Sequence, residues 1–254
     1  MYLELLVLFA VALCAGIVDA IAGGGGLITL PALLLTGMPP AQALATNKIQ
    51  ALASVASSAY RYVRSGEADT TGLAGRLVAS VAGACAGAYC LRVADPSLVS
   101  RVAPFLLIGV ACFFLFSRNH VSAKRPPVLG GAAFAALAVL PIGFYDGFFG
   151  PGTGSMYAAA FVLLLGRDLR SATADTKILN TAGSVVAALI FLPGGLIAWP
   201  AALAMALGGI IGAQIGAGLA LRWGAPLIRR VLVTISIVLA LRLLVQQYPV
   251  VALF

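Results

Sequence analysis

Gly16-Ile17-Val18-Asp19-Ala20-Ile21-Ala22-Gly23-Gly24-Gly25-Gly26-Leu27 is the stretch on which every other reading of this chain depends. Four glycines in succession, Gly23, Gly24, Gly25 and Gly26, carry a large helical penalty and leave backbone N–H and C=O groups unpaired. Nothing from Ala20 to Asn47 is charged, and the flanking runs are apolar enough to lie in lipid. Hydrocarbon tolerates a bare backbone only where protein or a water-filled cavity covers it, so a helix broken here marks a candidate site. The chain does this twice: Gly143-Phe144-Tyr145-Asp146 leads to a second break at Gly150-Pro151-Gly152-Thr153-Gly154.

Composition says what surrounds the breaks. Mean hydropathy is +1.05, with 61% hydrophobic and 9% charged residues, against about 25% charged in a soluble domain. The surface must therefore face a lipid bilayer, and the expected class is an all-α, polytopic integral membrane protein. Uncharged runs such as Ile178 to Leu221 exceed the roughly 20 residues of one crossing, so turns must interrupt them. The net charge of +8 fits cytoplasmic loop bias rather than nucleic acid, because no soluble basic face exists to present it. Cys14, Cys85, Cys90 and Cys112 lie in apolar segments without CxxC spacing and read as buried thiols. No metal and no cofactor is expected. The first segment begins with Glu4 and no positive charge, unlike a signal peptide, and its ending recurs mid-chain; it is expected to be retained.

In chain order, segments run from about Leu3 to Ala22 and Leu27 to Thr36, the second too short to cross, so the two read as one discontinuous hairpin. A segment from about Ala41 to Val63 carries Asn47, Gln50, Ser54 and Ser58 on one helical face, which must look inward. Segments at Thr71–Leu91, with Gly83 and Gly87, and at Leu98–Phe116 follow, then the polar stretch from Arg118 to Pro127, where His120 reads as solvated. The second half repeats the first. Gly16, Asp19 and Gly23 recur at one constant spacing as Gly143, Asp146 and Gly150. After a two-residue insertion, Gly37, Lys48, Gly66, Gly83, Gly87 and Arg101 recur as Gly166, Lys177, Gly195, Gly212, Gly216 and Arg230. The expected organisation is repeat 1 over 1–117, a cytoplasmic linker over 118–127 and repeat 2 over 128–254, making one transport domain.

Charge gives orientation. The Arg61–Asp69 loop has two arginines and its counterpart Leu192–Ala198 none, whereas uncharged Met38-Pro39-Pro40 matches a loop with Arg167 and Arg170. Under the positive-inside rule the halves are inserted upside down relative to each other. Placing the linker, Arg167/Arg170 and Arg222/Arg229/Arg230 in the cytoplasm leaves only Arg92/Arg101 outside and puts both termini on the external side.

The candidate substrate site lies where the repeats meet. Glycines 23–26 and Gly150, Gly152 and Gly154, with Thr153, would present N-terminal amides and positive helix-dipole ends that attract anions; the alternative is that glycines only let helices pack. Lys48 and Lys177 occupy matched positions and would act as counter-charges, with Thr46, Asn47, Thr176 and Asn180 donating hydrogen bonds. Alternatively the lysines snorkel or pair with Asp19, Asp146 or Asp175. Asp19 and Asp146, each four residues before a break, would cap freed amides, bind a coupling proton or cation, or neutralise a lysine. Tyr145, Phe148, Phe149 and Tyr157 line a path or pack.

Taken together, Gly-x-x-Asp-Ala-x-x-Gly-Gly-Gly-Gly-Leu-x-x-x-Pro-x-Leu-Leu with Ala-Leu-Ala-Thr-Asn-Lys-x-Gln (Gly16 to Gln50) resembles the first signature of the TauE/SafE family of sulfite and organosulfonate transporters. Asp-Gly-x-x-Gly-Pro-Gly-Thr-Gly with a later Thr-x-x-x-Lys-x-x-Asn (Gly143 to Asn180) resembles the second. The resemblance covers essentially the whole chain and implies passage of small sulfur oxyanions or carboxylates through a bacterial-type inner membrane. Asp175 stands where the first half has Thr46, a departure from strict symmetry.

The leading expectation is thus a secondary transporter of a small anion by alternating access, with a passive anion channel or a structural membrane subunit as alternatives. With no Walker A, HExxH or GxSxG motif, neither ATP hydrolysis nor another enzyme activity is expected. The Gly83/Gly87 and Gly212/Gly216 faces bury within one protomer or form the seam of a homodimer.

Overall fold

The computed structural model describes residues 2–69, 71–95, 97–99, 101, 105 and 126–247, which include no strand. The helices are α1 Tyr2–Ala22, α2 Gly26–Leu35, α3 Pro40–Arg64, α4 Leu73–Val93 and α5 Gly131–Phe148, which carries a π-helical turn at Ala135–Val139. They continue with α6 Thr153–Leu165, α7 Leu169–Phe191 and α8 Trp199–Gln247, broken at Gly224. Most of the segment expected at Leu98–Phe116, and with it Cys112, His120 and most of the linker, lies outside the described residues.

Among the described residues, five stretches are long and apolar enough to cross a bilayer: Tyr2–Ala22, Leu73–Val93, Gly131–Phe148, Leu169–Gly194 and Trp199–Gly224. The 25-residue α3 has the length to cross but not the hydropathy, because one of its faces is polar. That face is interior as expected: Asn47, Lys48, Gln50, Ser54 and Ser58 are all buried. The surface shows the reverse, with Leu3, Leu6, Val78, Leu137, Leu189, Leu203 and Leu207 each more than half exposed. Polar inside and apolar outside is the arrangement lipid selects. Trp199 and Trp223 stand exposed at the two ends of one crossing, about 36 Å apart at helical rise, where interfacial aromatics belong.

The crossings are held by paired close approaches. Gly208, Gly212 and Gly216 of α8 accept the backbone of α1 at Phe9, Leu13 and Ile17, while Gly16 meets Gly209. Gly83 and Gly87 of α4 accept α5 at Leu140, Phe144 and Phe148, while Gly143 meets Ser80. In both contacts residue numbers rise together, so α1 runs parallel to α8 and α4 parallel to α5. The small-residue faces are thus filled within the protomer. Ridges of backbone fit where a side chain is missing, which is how helices associate when lipid supplies no hydrophobic drive.

A sharp contrast between two glycines of one helix follows. Gly87→Val is expected to destabilise by at least about 1–3 kcal/mol, because its Cβ would enter the Phe144 and Phe148 backbone, which cannot yield. Gly75→Ala on the same helix meets nothing within 4 Å and should leave stability unchanged or raise it by up to about 1 kcal/mol. Thermal unfolding of the purified variants in detergent separates the two.

One expectation is corrected. Cys14, Cys85 and Cys90 are exposed, not buried; a thiol is a small apolar group, and on α1 and α4 the lipid face suits it as well as the core does.

Candidate functional site

The two breaks meet. A Cβ on Gly23 would stand 2.5 Å from the carbonyl carbon of Gly154, and one on Gly26 would stand 2.9 Å from the Cα of Pro151. Between them lies a cavity of about 30 Å³ lined by Asp19, Gly23, Gly26, Asn47, Lys48, Ala51, Val55, Asp146, Gly150, Gly152, Gly154, Asn180 and Ser184. That is room for about two waters, so the site is closed down in this structure.

Both buried lysines cross from one half to the other. Lys48 Nζ lies 3.1 Å from Asp146 Oδ1 and also donates to the Asp146 carbonyl. Lys177 Nζ lies 3.0 Å from Asp19 Oδ2 and donates to the Asp19 carbonyl. The reciprocal pattern follows from the repeat: matched lysines on α3 and α7 reach matched aspartates on α5 and α1. Of the roles open to the lysines, pairing with Asp19 and Asp146 is the one the geometry realises, and the four charges sum to zero.

The breaks differ in detail. Asp19 Oδ1 accepts the Gly25 amide at 3.1 Å, so this carboxylate caps the start of α2 while it holds Lys177. Backbone carbonyls of Gly24 and Gly25 take the amides of Leu27, Ile28 and Thr29, leaving fewer bare donors than four glycines suggest. At the second break the Thr153 hydroxyl donates to the Gly150 carbonyl at 2.6 Å, and Asp146 Oδ2 is buried without a hydrogen bond. Asn47 Oδ1 accepts from Thr29 at 2.6 Å, which fixes its amide toward the cavity.

Not every candidate lines the cavity. Asn47, Lys48, Asn180, Asp19, Asp146 and five of the glycines do; Gly24, Gly25, Thr46, Thr153, Thr176 and Lys177 are not among its walls. The Thr46 hydroxyl instead accepts the Ala198 amide at 3.0 Å. Its counterpart Asp175 accepts the Asp69 amide at 2.8 Å, so one position does the same job in both halves, neutral in one and charged in the other. Tyr145 donates to the Pro151 carbonyl and Tyr157 hydrogen-bonds with Ser80; with buried Phe149, these aromatics brace the second break. Ser184 was missed, although Lys177, Asn180 and Ser184 show the same helical spacing already used to orient α3. Ala51 and Val55 are the matched residues on α3, which gives the cavity an apolar patch where α7 offers a polar one.

A second ionic cluster lies at the other end of α7. Arg167 pairs with Asp69, Arg170 with Glu67 at 2.9 Å and Arg76 with Asp175 at 3.6 Å. Beside it is a cavity of about 510 Å³. These contacts tie the end of α3 to the start of α7, so those two helices run antiparallel. The Asp69 carboxyl is pulled down to about 2 by the Thr71 amide and hydroxyl first and Arg167 after them. Its native acidity exceeds its unfolded acidity, so its stabilising contribution is full above the unfolded value of about 3.9 and is lost as pH falls toward 2. Hydrogen-exchange protection of residues 65–68 and 71–72, corrected for intrinsic rates, should fall as the pH drops from about 4 toward 2. Asp69→Asn should lower it at neutral pH and remove the acid step.

A multi-pass helical membrane protein with a charge-balanced, closed cavity between two helix breaks belongs to the class of membrane transporters, and the comparisons agree. The family described as sulfite exporter TauE/SafE matches residues 8–243. "Probable membrane transporter protein ORF9" of Sinorhizobium sp is 41% identical over 237 residues, 93% of this chain and 91% of that one. "Probable membrane transporter protein" of Haemophilus influenzae is 38% identical over 96% of this chain and 95% of its own length. "Probable membrane transporter protein YfcA" of Escherichia coli K12 is 38% identical over 95% and 90%. The chain belongs to the TauE/SafE family. No solved structure matches it.

Proposed function

We propose that this protein is a secondary transporter of small anions, of the sulfite, organosulfonate or related organic-anion class, working by alternating access around the cavity between the helix breaks. The observation that carries the reading is the reciprocal pairing of Lys48 with Asp146 and Lys177 with Asp19 beside that cavity. Buried lysines in a bilayer are expensive and are kept where a charge must be handled. Gly23, Gly26, Gly150, Gly152 and Gly154 let a ligand approach the backbone, and Asn47, Asn180 and Ser184 offer hydrogen bonds. The apolar wall of Ala51 and Val55 suits an anion with a short carbon tail.

The two halves are read as inverted repeats in an inner membrane with both termini external. Antiparallel α3 and α7, and the gathering of Arg167 and Arg170 against the Arg61–Asp69 loop, support this reading. Cysteines placed at Gly66 and Gly195 should then label from opposite faces of the membrane.

The test is flux into proteoliposomes across a panel of sulfite, sulfonates, sulfate and small carboxylates. Saturable flux of a sulfur oxyanion or sulfonate, abolished in Lys48→Ala, supports the reading, and no flux of any of them contradicts it. A passive channel is the second reading; the closed cavity speaks against it, and single-channel currents would favour it.

A further inference from the structure

An anion entering the closed cavity finds no free cation among the described residues that line it. Lys48 is held by Asp146 and Lys177 by Asp19, at 3.1 and 3.0 Å, and one more negative charge in a buried, balanced site is strongly disfavoured. One carboxylate has to release its lysine for the site to fill.

The two carboxylates are not equivalent. Asp19 uses both oxygens, Oδ2 on Lys177 and Oδ1 on the Gly25 amide. Asp146 uses only Oδ1, on Lys48, and its buried Oδ2 has no hydrogen-bond partner. The cause lies in the second break. Gly25 is right-handed at φ −57°, whereas its counterpart Gly152, following Pro151, is left-handed at φ +85°. The two turns therefore aim their amides differently, and the bond that Gly25 gives to Asp19 has no equivalent at Asp146. Around Asp146 stand Lys48 from α3, Asp19 from α1 with Lys177 of α7 behind it, Thr153 and Tyr157 from α6, Ser80 and Ala84 from α4 near Gly183, and Tyr145 on its own helix. Lys48 is the cation in contact with it.

We propose that Asp146 takes up, on Oδ2, the proton that travels with the anion; this rests on reading the cavity as the anion site. Protonation turns the carboxylate into a neutral acid, the ion pair to Lys48 is lost, and Lys48 Nζ pairs with the entering anion instead. The charge of the site is zero before and after. When the anion leaves Lys48, the proton leaves Oδ2 and the original pair forms again. Each singly charged anion thus moves with one proton, and the membrane potential neither drives nor opposes the cycle.

The test uses the whole protein in liposomes loaded with a pH dye, the potential clamped at zero, and methanesulfonate outside. This anion stays ionised at working pH and cannot carry the proton itself. Methanesulfonate influx should acidify the lumen by one proton per anion, and an inside-alkaline gradient should accumulate it about tenfold per pH unit. Asp146→Asn should exchange methanesulfonate without acidification. Wild-type flux without acidification overturns the inference and leaves anion transport standing. Acidification kept in Asp146→Asn places the proton on another group and overturns it too. No flux of methanesulfonate, nor of sulfite or the carboxylates, overturns both. Should Asp146→Asn fail to fold, Asp146→Glu, which keeps a carboxyl beside Lys48, should retain one proton per anion with a shifted pH dependence of flux; an unshifted pH dependence overturns the inference.

Discussion

Lys48→Ala is expected to destabilise the purified protein by about 3–5 kcal/mol and to abolish transport, because breaking a buried pair strands the other charge. Lys48 and Asp146 are 2% and 3% exposed, so no solvent reaches the carboxylate left behind. The Asp146 carbonyl loses the same donor. The double variant Lys48→Ala/Asp146→Ala should recover most of the stability and none of the transport, since removing both charges spares the desolvation cost while emptying the site. Lys177→Ala should cost less than Lys48→Ala, because Asp19 keeps the Gly25 amide as a partner. Unfolding in detergent of the wild type, Lys48→Ala, Asp146→Ala and the double variant, arranged as a double-mutant cycle, with Lys177→Ala measured beside them, checks the order. Equal losses in Lys48→Ala and Lys177→Ala would contradict the asymmetry between the breaks.

Gly23→Val should be as damaging for a different reason. Gly23 has φ +78°, where a Cβ is strained, and that Cβ would stand 2.5, 2.6 and 2.7 Å from backbone atoms of Gly154 and Ser155. Backbone in a second broken helix has nowhere to go, so strain and overpacking together should exceed about 3 kcal/mol. Gly37→Ala isolates the first term. It has φ +81° but nothing within 4 Å, and it should cost only about 1–2 kcal/mol. Folded yield and thermal midpoint of the two variants measure the difference, which is chiefly the cost of overpacking the place where the breaks meet.

Much of this arrangement could be read from the chain because lipid leaves few choices. A polar face on α3 has to turn inward, and a run of glycines in an apolar stretch has to be covered. Matched landmarks such as Gly83 with Gly212 and Lys48 with Lys177 do matched jobs: the glycines seat α5 and α1, and the lysines reach Asp146 and Asp19. What remained hidden depended on contacts between distant residues. Periodicity places Lys48 and Asp146 inside but does not say that they touch, so pairing, snorkelling and ligand binding all fitted the sequence. The tie from Thr46 to Ala198 and its charged counterpart from Asp175 to Asp69 needed the packing of α3 and α7 to become visible. Ser184 was within reach, since it continues the helical face of Lys177 and Asn180. The cysteines misled because a thiol reads as apolar in either direction, toward core or toward lipid.

Access to the cavity itself tests the central claim most directly. Ser184 is 1% exposed on the cavity wall, and a cysteine there, in a protein lacking its other four, reports whether the space is occupied. Labelling of Ser184→Cys by a small thiol reagent should slow as a transported anion is added, with half-protection at the concentration that half-saturates flux. Saturable flux with labelling unchanged at every anion concentration would place the anion elsewhere and contradict the account.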